Sequence, residues 1–190
     1  MHRKQTSFVL VLLLGAMYAN SAWGVEKRRI GEAGAWSNGQ QWEPAGSPEA
    51  ADNCFQEDEA TGVMVFDTGT YPAANSLTVK AGGSPPRGLT VAGPDEFRTP
   101  NFVKTGAGAY TVTVLDNQTF RTTPGAGGIT GGNWLLGADA LVQNRGTSGI
   151  NVQDGTWTLG PRALLWNFPF FTSITGDTST SLIALLGAGS

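Results

Sequence analysis

From residue 62 to its end the chain is written as short extended pieces, each closed by Gly, Pro, Asn or Asp. The clearest are GVMVF (62–66), SLTVKAGG (76–83), GLTVAG (88–93), AYTVTVL (109–115), GINV (149–152), GTWTLG (155–160) and SLIALLG (181–187). Apolar and polar residues alternate within them, so successive side chains point to opposite faces of a strand and one face is buried. Outside the N-terminal segment, apolar residues never recur at the three-and-four spacing of a capped amphipathic helix. The chain therefore reads as all-β. Its 27 glycines and 14% charged residues fit either a disordered chain or a protein of short strands and tight turns. A hydrophobic content of 40% and six tryptophans select the second, because large rings are costly to leave in water.

Two arrangements can use such strands. SLTVKAGG and GLTVAG align Leu77 with Leu89 and Val79 with Val91, and GTWTLG repeats the rule with Trp157 and Leu159. Repeats of strand, glycine turn and strand are what a solenoid produces, because one coil cannot bury its inner face alone. About 20 to 30 residues per coil would give roughly five to eight coils, a rod of roughly 25 to 40 Å at about 4.8 Å per coil. An antiparallel β-sandwich also builds short strands with frequent turns and is the alternative.

The first 24 residues read as a cleavable secretory signal peptide. A short basic stretch (Arg3, Lys4) precedes an apolar run from Phe8 to Leu14, too short to span a bilayer. Small residues follow, with Ala22 and Gly24 at the spacing a signal peptidase reads, so cleavage is expected between Gly24 and Val25, or alternatively between Ser21 and Ala22. The expected destination is secretion or the cell surface, for a protein not integral to the membrane. Removing residues 1–24 leaves ten basic and fifteen acidic residues and no histidine, His2 being the only one. That excludes Ser-His-Asp and Cys-His catalysis and His-ligated metals, and an acidic chain without a long basic stretch argues against nucleic-acid binding. Cys54 is alone and reads as a buried small hydrophobe.

Local signals are read in their plainest sense. Lys27, Arg28 and Arg29 read as a solvated tail. Asn38-Gly39 between Trp36 and Trp42 reads as a hairpin turn. The acid run Glu57, Asp58, Glu59 reads as a solvated loop, without the alternating oxygen ligands and glycine of a calcium loop. Asn117-Gln118-Thr119 reads as a turn flanking a strand. No cofactor or metal is expected.

KTGAGAYTVTV (104–114) resembles the opening of the autotransporter-associated β-strand repeat of bacterial surface and secreted proteins, and GINVQDGTWTLG (149–160) resembles the end of the same unit. WSNGQQWEPAGSPEAADNCF followed by NSLTV is similar to the segment ahead of such repeats, with its two tryptophans and Asp52 and Phe55. The resemblance implies a right-handed parallel β-helix serving as a stalk, passenger or surface array, with no catalytic residue to carry over. It divides the chain into a signal peptide (1–24), a capping segment (25–60) and β-solenoid repeats (61–190), with SLIALLGAGS reading as a repeat cut off before its next coil.

The expected function is that of a secreted or cell-surface structural or adhesive protein without catalysis, its partner a cell-surface polysaccharide or another surface protein. A carbohydrate-binding module is the first alternative. Trp134, Trp157, Trp166, Phe168, Phe170 and Phe171 read mainly as core or end caps. In WNFPFF (166–171), however, Pro169 argues against a central strand, and Trp166, Phe168, Phe170 and Phe171 are the candidate ligand-facing aromatics. A polysaccharide lyase or glycoside hydrolase is the second alternative, with Asp95 and Glu96, or Asp116, Asp139 and Asp154, as acids and Arg121 or Arg145 as charge partner.

Overall fold

A computed structural model describes residues 24–68, 74–94, 96–151 and 155–167, and the backbone of two further strands, Ile174–Thr175 and Leu182–Leu185. Residues 1–23, the bulk of the expected signal peptide, with Ser21 and Ala22, lie outside the described residues, as do Asp95, Asp154, Phe168, Phe170 and Phe171. Among the described residues no helix is long and apolar enough to cross a membrane.

The strands wind into a parallel β-helix of about six turns. The first turn holds β1 (Glu26–Arg29), β2 (Gly34–Ala35) and β3 (Trp42–Glu43), and the second β4 (Asn53–Gln56) and β5 (Val63–Phe66). The third holds β6 (Ser76–Lys80), β7 (Gly88–Val91) and β8 (Phe97–Thr99), and the fourth β9 (Phe102–Thr105), β10 (Thr111–Val114) and β11 (Thr119–Thr122). β12 (Ile129–Thr130), β13 (Asn133–Leu136) and β14 (Leu141–Asn144) form the fifth, and β15 (Ile150–Asn151), β16 (Thr156–Leu159) and β17 (Leu164–Asn167) the sixth. β18 (Ile174–Thr175) and β19 (Leu182–Leu185) continue the stack. Three sheets run along the rod: β1, β4, β6, β9, β12, β15 and β18 in the first, with β3 at its edge; β2, β5, β7, β10, β13, β16 and β19 in the second; β8, β11, β14 and β17 in the third. Among the described residues only β1 with β3 pairs antiparallel, which sets the β-sandwich aside.

Met64, Leu89, Val112, Trp134 and Trp157 stand in one column of the second sheet, so successive turns take 25, 23, 22 and 23 residues. The unequal lengths arise mainly at the corner between first and second sheets. It takes residues 81–87 in the third turn but only Gly131 and Gly132 in the fifth, where both have positive φ (70° and 94°), a conformation glycine reaches without a Cβ penalty. The next corner is more regular. Asn117, Asp139 and Arg162 occupy it in successive turns with φ of 59°, 57° and 57°, and backbone bonds link Asn117 N to Ala138 O and Asp139 N to Pro161 O. Asn117 is thus a turn residue ahead of β11.

Alternation fills the interior. The inward residues make an unbroken run of ring contacts, Trp36–Phe66–Phe97–Phe120–Trp134–Trp157, with centroids 5.9, 5.0, 5.0, 4.9 and 4.7 Å apart, inside the favourable range for aromatic pairs. Trp134 and Trp157 are therefore core, as their place in the pattern predicts. Cys54 is fully buried in the first sheet, and burial, with the Asp52 charge second, pushes its thiol far above the usual range.

The first turn departs from the sequence reading. Lys27 and Arg29 belong to β1 and point inward, at 7% and 1% exposure, rather than lying in a solvated tail. Carbonyls cage the Lys27 ammonium, whose Nζ donates to Pro44, Ala45 and Gly46 O at 2.9, 3.3 and 3.1 Å; Arg29 is met at one end only, Nη2 donating to Glu32 O at 2.6 Å and Gln41 Oε1 at 3.0 Å, while its buried Nε and Nη1 have no acceptor among the described residues. Nor does Asn38-Gly39 make a two-residue hairpin. Asn38 caps the short 3-10 turn Gly39–Gln41 through its side chain, and the chain returns as β3 to pair with β1. Trp42 then lies edge-on to Trp36, 5.0 Å away, its Nε1 donating to Trp36 O at 3.0 Å.

Candidate binding face

The third sheet carries the most concentrated chemistry. Its inward residues on one side of the strand centre are Phe97, Phe120, Val142 and Leu165, and on the other Thr99, Thr122, Asn144 and Asn167. The residues between them form an outward row with one member per turn: Arg98, Arg121, Gln143 and Trp166. Neighbours in the row stand about 4.8 Å apart along the axis, the spacing of paired strands.

The polar inward column holds this face in register. Thr122 Oγ1 donates to Asn144 Oδ1 at 2.6 Å, and Asn144 Nδ2 donates to Asn167 Oδ1 at 2.8 Å and Gly146 O at 3.0 Å. Thr122 Oγ1 also accepts from the backbone N of Arg145 at 2.8 Å and of Gly146 at 3.2 Å. Arg145 is thereby fixed just past the end of β14, beside the outward row. Arg121, Gln143, Arg145 and Trp166 line a shallow, open pocket of about 300 Å³. Gln143 is its covered floor at 6% exposure, and Trp166 its most open wall at 44%.

Three guanidiniums share the face with one described carboxylate. Glu96, just before β8, pairs with Arg98 and with Arg121, whose Nη1 lies 3.2 and 3.1 Å from its two oxygens. Among the described residues Arg145 has no carboxylate at ion-pair distance, and the buried Nε of Arg121 has no acceptor. Burial, and then the charges of Arg121 and Arg145, hold the Arg98 guanidinium below the ordinary arginine range.

Of the described acids proposed for catalysis, Glu96 is brought to Arg121, whereas Asp116 and Asp139 are bonded away from this face. Asp116 Oδ1 accepts from Ala138 N at 2.8 Å, Asp139 takes the Arg162 side chain with Nε 2.6 Å from Oδ1, and Glu96 serves the arginines. Arg121 and Arg145 are brought together, but with Gln143 and Trp166 and not with Asp116 or Asp139. The acid run at 57–59 lies in an exposed turn, as read, yet it is tied to neighbouring turns. Glu57 pairs with Arg28 at 2.7 Å, and Asp58 with Lys80 at 2.5 Å and Arg87 at 3.3 Å. The buried Arg87 was missed by the sequence reading. Its Nε donates to Ala60 O at 2.7 Å and its Nη1 to Ala81 O at 3.0 Å, so it rivets the second turn to the third. Among the described residues no three His, Cys, Asp or Glu side chains gather as a metal site.

The chain matches no family model, no curated protein and no solved structure.

Proposed function

We propose that this protein is a secreted or cell-surface β-helix with a structural and adhesive role and without catalytic activity, of the kind found in autotransporter-associated repeat proteins. The observation that carries the proposal is the use made of five described carboxylates, among them the described candidate catalytic acids. Glu57, Asp58, Glu96, Asp116 and Asp139 each bond to another side chain or a backbone N–H, most of them across to a neighbouring turn. A general acid or base needs a carboxyl free to exchange a proton with substrate, whereas these groups hold turns together.

The start of β1 supports processing after Gly24. Val25 N lies 3.0 Å from Asp52 Oδ1, and Asp52, at 6% exposure, also accepts from Glu49 N at 2.9 Å. Cleavage between Gly24 and Val25 turns that amide into an ammonium already seated on a carboxylate. N-terminal sequencing of the protein recovered outside the cytoplasm is expected to begin at Val25.

Incubating the purified protein with a panel of neutral and acidic polysaccharides, with reducing ends and unsaturated uronates measured as products, tests the absence of catalysis. No product is expected. Depolymerisation of any member would overturn the reading in favour of a lyase or hydrolase.

A further inference from the structure

We propose that the outer face of the third sheet is a binding site for a linear acidic polysaccharide, a polyuronate, lying along the axis of the β-helix. The proposal rests on the adhesive reading above and supplies its ligand class.

The row Arg98, Arg121, Gln143, Trp166 presents guanidinium, guanidinium, amide and indole in successive turns, with a third guanidinium, Arg145, at its side. A ligand that uses all of them is extended, runs parallel to the rod and carries carboxylates and flat apolar faces at short intervals. A uronic-acid polymer has both on every sugar. Its carboxylates match the planar fork of arginine, which binds such groups through paired hydrogen bonds. Its pyranose C–H faces suit the exposed indole of Trp166. Gln143 offers the floor of the pocket both a donor and an acceptor for hydroxyls.

Charge selects among polyanions. The face carries three cations against Glu96 on a chain of net charge −3 and pI about 5.1. A small positive strip on an acidic protein suits a polymer with one charge per sugar. Nucleic acid, with one charge per ~1.7 Å of duplex, calls for a broad basic footprint that this chain lacks. A sulfated neutral glucan shares the anionic chemistry but not the planar carboxylate that the arginine fork fits.

The test is titration of the purified protein with polygalacturonate, read by tryptophan fluorescence and by retardation in gels cast with the polymer. The expected result is saturable binding that weakens as salt rises. R121Q, R145Q and W166A each should weaken it about tenfold or more, the loss of a charge-assisted bond or a stacked ring. W166F, which keeps a ring, should restore most of the affinity to that position. K80Q, on the first sheet, should bind as the unaltered protein does. Circular dichroism and melting of each variant separate loss of the site from loss of the fold. Parallel titrations use dextran, dextran sulfate and single-stranded DNA. Equal or tighter binding to any of these would overturn the proposal, as would no binding to polygalacturonate or unaltered binding by R121Q and R145Q. If binding fails and no product forms, the polyuronate site falls while the non-catalytic reading stands; product formation strikes that reading instead.

Discussion

Replacing Phe120 by Ala removes the ring at the centre of the stacked core. Phe120 is fully buried, stacked on Phe97 of the turn before at 5.0 Å, edge-on to Trp134 of the turn after at 4.9 Å, and edge-on to Phe102 across the interior at 5.6 Å. Phe→Ala substitutions in cores cost about 3 to 5 kcal/mol, depending on how far the site can collapse. Here collapse is restricted, because the strand is hydrogen-bonded to β8 on one side and β14 on the other. The cost expected for F120A is therefore at the upper end, about 4 to 5 kcal/mol. F120L, which keeps most of the volume but loses three ring contacts, is expected to cost about 1.5 kcal/mol. F55A is the contrasting substitution. Phe55 lies on the outer side of β4 with the Arg28 guanidinium 5.0 Å from its ring, and losing such a contact costs about 1 kcal/mol or less. Urea unfolding followed by tryptophan fluorescence gives each value from the midpoint and slope. A cost for F120A below about 2 kcal/mol, or one no larger than that of F55A, would refute the inward placement of this column.

Three further outcomes follow from particular contacts. N144A should lower stability by about 2 to 3 kcal/mol in the same assay, since it strips partners from the Thr122 hydroxyl and the Asn167 amide inside the rod; a neutral effect would deny the internal ladder. The Asp139 carboxyl is held below its ordinary value chiefly by its hydrogen bond from Arg162. Because the folded value lies below the unfolded one of about 3.9, the pair's contribution is complete above about pH 4 and lost as pH falls through the folded value. D139N should thus show a small decrease in Tm at pH 6 that closes toward pH 2, and a gap that widens on acidification would contradict the sign. Cys54 should resist a water-soluble disulfide reagent in the native protein and react fully in urea, being buried with its thiol pushed up; rapid native labelling would mean that β4 is not covered.

The strands of the second sheet were the legible ones. GLTVAG, AYTVTVL and GTWTLG contain β7, β10 and β16, because Leu89, Val112 and Trp157 alternate cleanly with outward threonines. What the sequence could not supply was the stacking partner of each strand. The alignment of Leu77 with Leu89 matches two faces of one turn; Leu89 stacks on Met64 and Val112, while Leu77 stacks on Cys54 and Phe102. Corner length varies, so no fixed period announces the coil. The third sheet was harder still. In TFRT, LVQN and LLWN the inward positions include Thr122, Asn144 and Asn167, polar residues bonded to one another across turns and to the backbone of residues 145 and 146, and the alternation is blurred. For the same reason Arg121 and Arg145 were visible as charges but not as neighbours of Trp166. Lys27 and Arg29 were misread because a charge is expected in water, and only the fold shows the carbonyl cage of residues 44–46 around Lys27 and the oxygens of Glu32 and Gln41 at one end of Arg29.

The binding face and the core column both depend on parallel stacking of successive turns, and distances between spin labels on the second sheet test it most directly. Val65, Thr90, Thr113, Leu135 and Thr158 occupy one outward column. With Cys54 replaced by Ala and one label fixed at position 158, moving the second label from 135 to 113, 90 and 65 should lengthen the separation in steps of about 4.8 Å, reaching about 19 Å at position 65. Separations that fail to grow in equal steps, or that alternate between near and far as in an antiparallel pairing, would contradict the β-helix.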